Sequence, residues 1–155
     1  MDAGVQQAPS LYRRLGGYDG IAAIIESLFC LMREDARFAR FETGRSTESK
    51  KRAQQLTVEQ ICALPVGPCY YIGRDMKTSH AGLGITDAEW EANLELTKKA
   101  LLRNKITGSE EQEFLALFEH YRQDIVEISD QRSHNSENGR QILAAVLTAS
   151  SRLPS

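Results

Sequence analysis

Apolar side chains recur every three to four positions through most of this chain, the spacing that turns one face of an α-helix toward a core. Ile21, Ile24, Ile25, Leu28, Phe29 and Met32 form one such stripe and predict a helix over residues 20–34. A short helix at 11–15 precedes it and stops at Gly16-Gly17. After a turn at 36–41 and a polar loop at 42–49, Ala53, Leu56, Thr57 and Ile61 mark a helix over 49–64, which Pro65 ends. Thr86 followed by Glu89 has the form of a capping box. It opens a helix to about Asn104, with Trp90, Leu94 and Leu101 inward. Ser109 and Gln112 repeat that form, predicting a last long helix to about Ile128 that buries Phe114, Leu117, Phe118, Tyr121 and Ile125. No stretch predicts a strand, so the fold class is all-α.

Between Pro65 and Gly84 there is no room for a long helix. Two prolines and four glycines fall there, leaving one turn around Met76 to His80. Irregular tracts of this length in a compact domain are often functional. Beyond Asp130 the chain turns polar, and residues 141–149 are apolar enough for one further short helix. The expected organisation is a flexible terminus at 1–10, one domain at 11–129, and a polar linker with a possible extra helix at 130–155. That segment packs back on the domain, gives weak self-association with another chain, or is a frayed tail.

The chain has 155 residues, enough for one domain with a real core. Its 19 basic and 21 acidic side chains give a net charge of −2, which offers no footprint for nucleic acid or an anionic membrane. No apolar run approaches the roughly 20 residues needed to span a bilayer. The first ten residues lack the basic-then-apolar form of a signal peptide, so a cytoplasmic location is expected. Three cysteines, Cys30, Cys62 and Cys69, are an odd count. Cys62 and Cys69 would pair if the turn around Pro65 and Pro68 brings them together; buried free thiols are the expected state. Neither a C-x-x-C nor a Cys/His cluster is present, which disfavours zinc.

One histidine has a distinctive setting. His80 lies four residues after Met76 and five before Ile85, so one helical turn places Met76 and His80 on the same side. On spacing alone the ordinary reading is a loop histidine with a satisfied hydrogen bond, not a ligand. His120, beside Glu113 and Asp124 on a polar face, and His134, in the polar tail, compete weakly.

Three separate segments resemble group I truncated haemoglobins. Leu11-Tyr12-Arg13-Arg14-Leu15-Gly16-Gly17 is similar to their opening segment, and Gly67-Pro68 with Tyr71 and Gly73 to their second glycine motif. The block from Met76 to Thr86 resembles the proximal histidine motif and the start of the following helix. The resemblance implies a two-over-two helical sandwich around haem b, with His80 as the iron ligand and its other ring nitrogen donating to a carbonyl or water. The implied contact set is Leu28, Phe29, Phe41, Arg52, Ala53, Leu56, Thr57, Ile61, Tyr71, Met76, His80, Ile85, Trp90, Asn93 and Leu94.

The distal side departs from the family pattern. Phe29 stands where many members carry a tyrosine, Ala53 and Thr57 occupy the helix positions nearest the sixth ligand site, and Thr57 replaces a common glutamine. Phe29 and Ala53 have no side-chain donor, and the Thr57 hydroxyl has a helix carbonyl within reach; Asn93 is the alternative polar group. A hydrogen bond lost from a bound ligand is worth about 1–1.5 kcal/mol, or roughly five- to thirteen-fold in affinity. Smaller departures are Val66 in place of a glycine, Glu42 after Phe41 where an aromatic is common, and Leu56 where a propionate-binding lysine is common. Arg52 keeps a basic residue near that helix start.

The function implied is reversible binding of O2, with NO and CO as competing ligands. The alternatives are a haem oxidoreductase (an NO dioxygenase or weak peroxidase served by an electron-donating reductase) and a haem-based sensor. Oxidoreductase chemistry needs a positioned distal donor, and a sensor needs an output surface.

Overall fold

The computed structural model describes residues 8–64 and 67–129. Within them the helices are α1 (Leu11–Arg14), α2 (Gly17–Glu34), a 3-10 turn (Ala36–Phe38), α3 (Ala39–Glu42), α4 (Thr47–Ala63), α5 (Met76–His80), α6 (Asp87–Arg103), α7 (Ser109–Glu119) and α8 (Arg122–Ile125). No strand occurs among the described residues; a single parallel bridge joins Thr86 to Ile128. The expected linker and extra helix after Asp130, with His134, Pro65 and Val66, lie outside the described residues.

Helix α2 is the centre of the packing. It lies against α4 on one side and α6 on the other, and α6 in turn carries α7. Ile21, Ile24, Ile25 and Leu28 of α2 are almost wholly buried, facing Leu96, Ala100 and Leu101 of α6 and Phe114 and Leu117 of α7 in one core. Two helix pairs stacked in this way form a two-over-two sandwich. The short α5 docks on α8 rather than on α4. No helix among the described residues is long and apolar enough to cross a membrane.

Helix starts differ from the sequence expectation where a side chain supplies the missing cap. α2 begins at Gly17, three residues early, because the Tyr12 hydroxyl accepts from the Tyr18 amide at 3.1 Å. α4 begins at Thr47 because the Ser46 hydroxyl accepts from the Ser49 amide at 3.1 Å. Each cap satisfies an N–H that the helix itself leaves unpaired.

Three expectations are corrected. The Ser109–Gln112 capping box does not form. Gly108 is the N-cap, and the Ser109 hydroxyl turns to Glu110 at 3.3 Å. The last long helix stops at Glu119 instead of running to Ile128. Tertiary hydrogen bonds replace its continuation: the amides of Glu127 and Ile128 donate to the Ile85 carbonyl at 2.9 and 3.1 Å, and Asp87 donates to the Ile128 carbonyl at 3.2 Å. Finally, Cys62 and Cys69 are joined as a disulfide across a separation of seven residues, with a Cα–Cα distance of 5.6 Å. That distance is within the ordinary range for such a bond. Cys30 is the free thiol.

Candidate functional site

The segment carrying His80 is built by short-range hydrogen bonds. Asp75 caps α5: its carboxylate accepts from the Thr78 amide at 2.7 Å and from the Thr78 hydroxyl at 2.9 Å. These bonds, the backbone one foremost, hold the Asp75 carboxyl below its usual pKa. The Ser79 hydroxyl donates to the Asp75 carbonyl at 3.0 Å. Five residues cannot sustain a helix by propensity, so this cap is what defines the turn.

The cap fixes the geometry of His80. Its Nδ1 lies 2.9 Å from the Met76 carbonyl oxygen, one turn earlier. A carbonyl only accepts, so Nδ1 carries the proton, which in the neutral ring leaves the lone pair on Nε2. The Ser79 hydroxyl sits 3.1 Å from the same Nδ1, its own proton directed to the Asp75 carbonyl. The ring is half-buried, and Nε2 makes no hydrogen bond among the described residues.

After His80 the chain leaves the helix and turns back on itself. Gly82 and Gly84 have φ of +81° and +59°, left-handed conformations that a side chain would strain. Ile85 then enters the core, and Thr86 with Glu89 forms the predicted capping box. Glu89 does more than cap. Both its oxygens lie 2.7 Å from the Arg40 guanidinium. That guanidinium also donates to the carbonyls of Leu83, at 2.8 Å, and Gly84, at 3.3 Å. Its hydrogen bond is the main cause of the lowered Glu89 pKa. Arg40 further stacks over Phe41, 4.1 Å from the ring centroid.

The remaining predicted residues divide into three groups. Leu28, Ile61, Ile85 and Trp90 are buried in the core. The Trp90 indole nitrogen is committed to Glu119 at 3.0 Å. Phe29 on α2, Phe41 on α3, Met76 on α5 and Leu94 on α6 pack against that core but stay half-buried; Ala53, Leu56 and Thr57 on α4 and Asn93 on α6 are also half-buried. Arg52 is exposed and has no ion-pair partner among the described residues, whereas neighbouring Lys50 lies 2.9 Å from Glu42. Tyr71 is half-buried, with its hydroxyl donating to the Arg74 carbonyl at 2.6 Å, and burial raises its pKa.

Thr57 donates to the carbonyl of Ala53 at 2.8 Å. Its hydroxyl is engaged by its own helix, one of the two options the sequence left open. Sequence reading missed Arg40, whose partners lie more than forty residues away. An exposed arginine in a polar stretch gives no local signal of such contacts.

The donor chemistry fits a haem. A neutral imidazole with one nitrogen anchored is the proximal arrangement that iron takes in globins. Half-buried Phe29, Phe41, Leu56, Met76 and Leu94 supply apolar contact surface. The described residues hold no group of three His, Cys, Asp or Glu side chains that would bind a metal directly.

This helical sandwich, with a capped histidine turn between α4 and α6 in the chain, defines a globin of the truncated class. The bacterial-like globin family matches residues 10–127, and the chain belongs to that family. It is 34% identical over 77 residues to the group 1 truncated hemoglobin GlbN of Mycolicibacterium paratuberculosis, a match spanning 50% of this chain and 54% of that relative, about half of each. It is 24% identical over 119 residues to the group 1 truncated hemoglobin of Tetrahymena pyriformis, covering 76% of this chain and 94% of the relative. The crystal structure of the Tetrahymena protein in its Fe(III) form superposes with a TM-score of 0.69 at 21% identity, covering 76% of this chain and 98% of that one. Membership of the globin family carries haem as the cofactor and diatomic gas binding as its general use.

Proposed function

We propose that this globin reversibly binds O2, with NO and CO as competing ligands, at a haem held through Nε2 of His80. The observation that carries the reading is the Nδ1 bond to the Met76 carbonyl, which fixes the tautomer and ring orientation a proximal ligand needs. Haem supplies the iron at which a diatomic gas is held. The protein supplies the rest. Met76 and Ile85 would pack against the proximal face, Phe29 and Leu94 would offer apolar surface, and Arg52, without an ion pair among the described residues, would meet a propionate. Phe29, Ala53 and Thr57 would form the distal wall. With the Thr57 hydroxyl engaged, that wall lacks a free donor apart from Asn93.

An apolar distal wall holds a polar bound gas less firmly than one with a tyrosine, and it offers no acid or base for turnover. Reversible binding is therefore favoured over oxidoreductase chemistry. The test is an absorption spectrum of the haemin-loaded protein, oxidised, reduced with dithionite, and reduced under CO, for wild type and His80→Gly. Wild type should show a five-coordinate ferrous spectrum that converts fully with CO. His80→Gly should lose it and regain it with added imidazole. Retention of the wild-type spectrum in His80→Gly without imidazole would remove His80 as the ligand. A six-coordinate low-spin ferrous wild type would contradict the distal wall.

A further inference from the structure

We infer that Arg40 is a positioning residue for the proximal histidine, fixing the loop that carries His80 into α6; the inference rests on the reading that His80 holds the haem. The loop from Ala81 to Gly84 has little else to hold it. Its internal bond is Leu83 N to His80 O at 3.3 Å, and the Gly84 amide reaches the Glu127 carboxylate at 3.3 Å. Two left-handed glycines make its backbone adaptable in torsion.

Arg40 answers that freedom from across the fold. One edge of its planar guanidinium grips both Glu89 oxygens, and the remaining N–H bonds donate to the Leu83 and Gly84 carbonyls. Four hydrogen bonds from one rigid group fix a plane as well as a distance, which a lysine ammonium cannot do. Glu89 is itself tied to the Thr86 amide at 3.0 Å, so α3, the loop and the start of α6 meet at one side chain. The carbonyls that Arg40 holds belong to residues three and four positions after His80. Their position sets how far the histidine turn can tilt or slide.

Arg37 provides an internal control. It lies three residues earlier, on the 3-10 turn, and makes the same kind of ion pair to α6, through Glu95 at 3.2 Å. It bonds Asp35 and Glu95 but neither Leu83 nor Gly84.

The experiment compares wild type, Arg40→Ala, Arg40→Lys and Arg37→Ala. Three properties are read: the iron–histidine stretching band of the ferrous five-coordinate form, the rate of haem transfer to apomyoglobin, and amide hydrogen exchange of residues 82–85 in the haem-free protein. Arg40→Ala should shift and broaden the band, speed haem loss by about tenfold, as expected when a group that orients a metal ligand is removed, and raise exchange in the loop. Arg40→Lys should change all three in the same direction but less, and it carries the test should Arg40→Ala fail to fold. Arg37→Ala should leave the band in place. An unmoved band in the Arg40 variants, or an equal shift in Arg37→Ala, overturns the positioning role while leaving His80 as ligand. A wild type with no iron–histidine band overturns the ligand reading itself, and the positioning role with it.

Discussion

The Thr57 hydroxyl donates to the carbonyl of Ala53, 2.8 Å away and one turn back on α4. A threonine at a helix position facing a ligand offers one donor. Here that donor already has a partner. Thr57→Val should therefore change the O2 dissociation rate by less than about twofold, well under the effect of a lost ligand hydrogen bond. Stopped-flow displacement of O2 by CO measures it. A several-fold acceleration would show that the hydroxyl rotates to the ligand when one is bound.

Phe29 is the complementary position. It is half-buried on α2 and packs against the core without a polar atom. Phe29→Tyr adds a phenolic donor at nearly constant ring volume. If Phe29 faces the bound gas, O2 dissociation should slow by roughly one order of magnitude. CO dissociation should change much less, because bound CO carries little negative charge. Equal slowing of both gases would mean steric closure of the site instead of a hydrogen bond.

The disulfide should contribute to stability through the unfolded chain. Closing a loop of about eight residues removes unfolded-state entropy worth about 2.5 kcal/mol in the chain-entropy relation. Cys69→Ser leaves fully buried Cys62 in place and should lower unfolding free energy by about that amount, measured by urea titration. A dithiol reductant should have the same effect on wild type and none on the variant. Identical urea midpoints for oxidised wild type and Cys69→Ser would exclude the contribution.

Acid should weaken the Arg40–Glu89 contact in a defined direction. Hydrogen bonding to Arg40 lowers the folded-state pKa of Glu89 below its usual 4.5. A lowered folded pKa stabilises the protein above the unfolded value, and that stabilisation disappears as pH falls from 4.5 through the folded value. Glu89→Gln should be less stable than wild type near neutral pH, and the gap should narrow below about pH 4.5. Urea unfolding at a series of pH values reads this. A gap that stays constant would mean that the carboxylate charge is not what Arg40 recognises.

The sequence by itself determined the helices and the turn that carries His80. The Ile21–Ile24–Ile25–Leu28 stripe, the Thr86–Glu89 capping box and the single turn from Met76 to His80 all rest on neighbours within a few residues, where helical geometry leaves little choice. The tertiary structure decided what depends on partners distant in the chain. Past α8 the helical run gives way where the Ile85 carbonyl, over forty residues away, captures the amides of Glu127 and Ile128. Arg40 finds Leu83, Gly84 and Glu89 only once α3 and α6 have packed. Local periodicity reports which face of a helix is apolar, but long-range hydrogen bonds and crosslinks depend on where the packed core places each backbone.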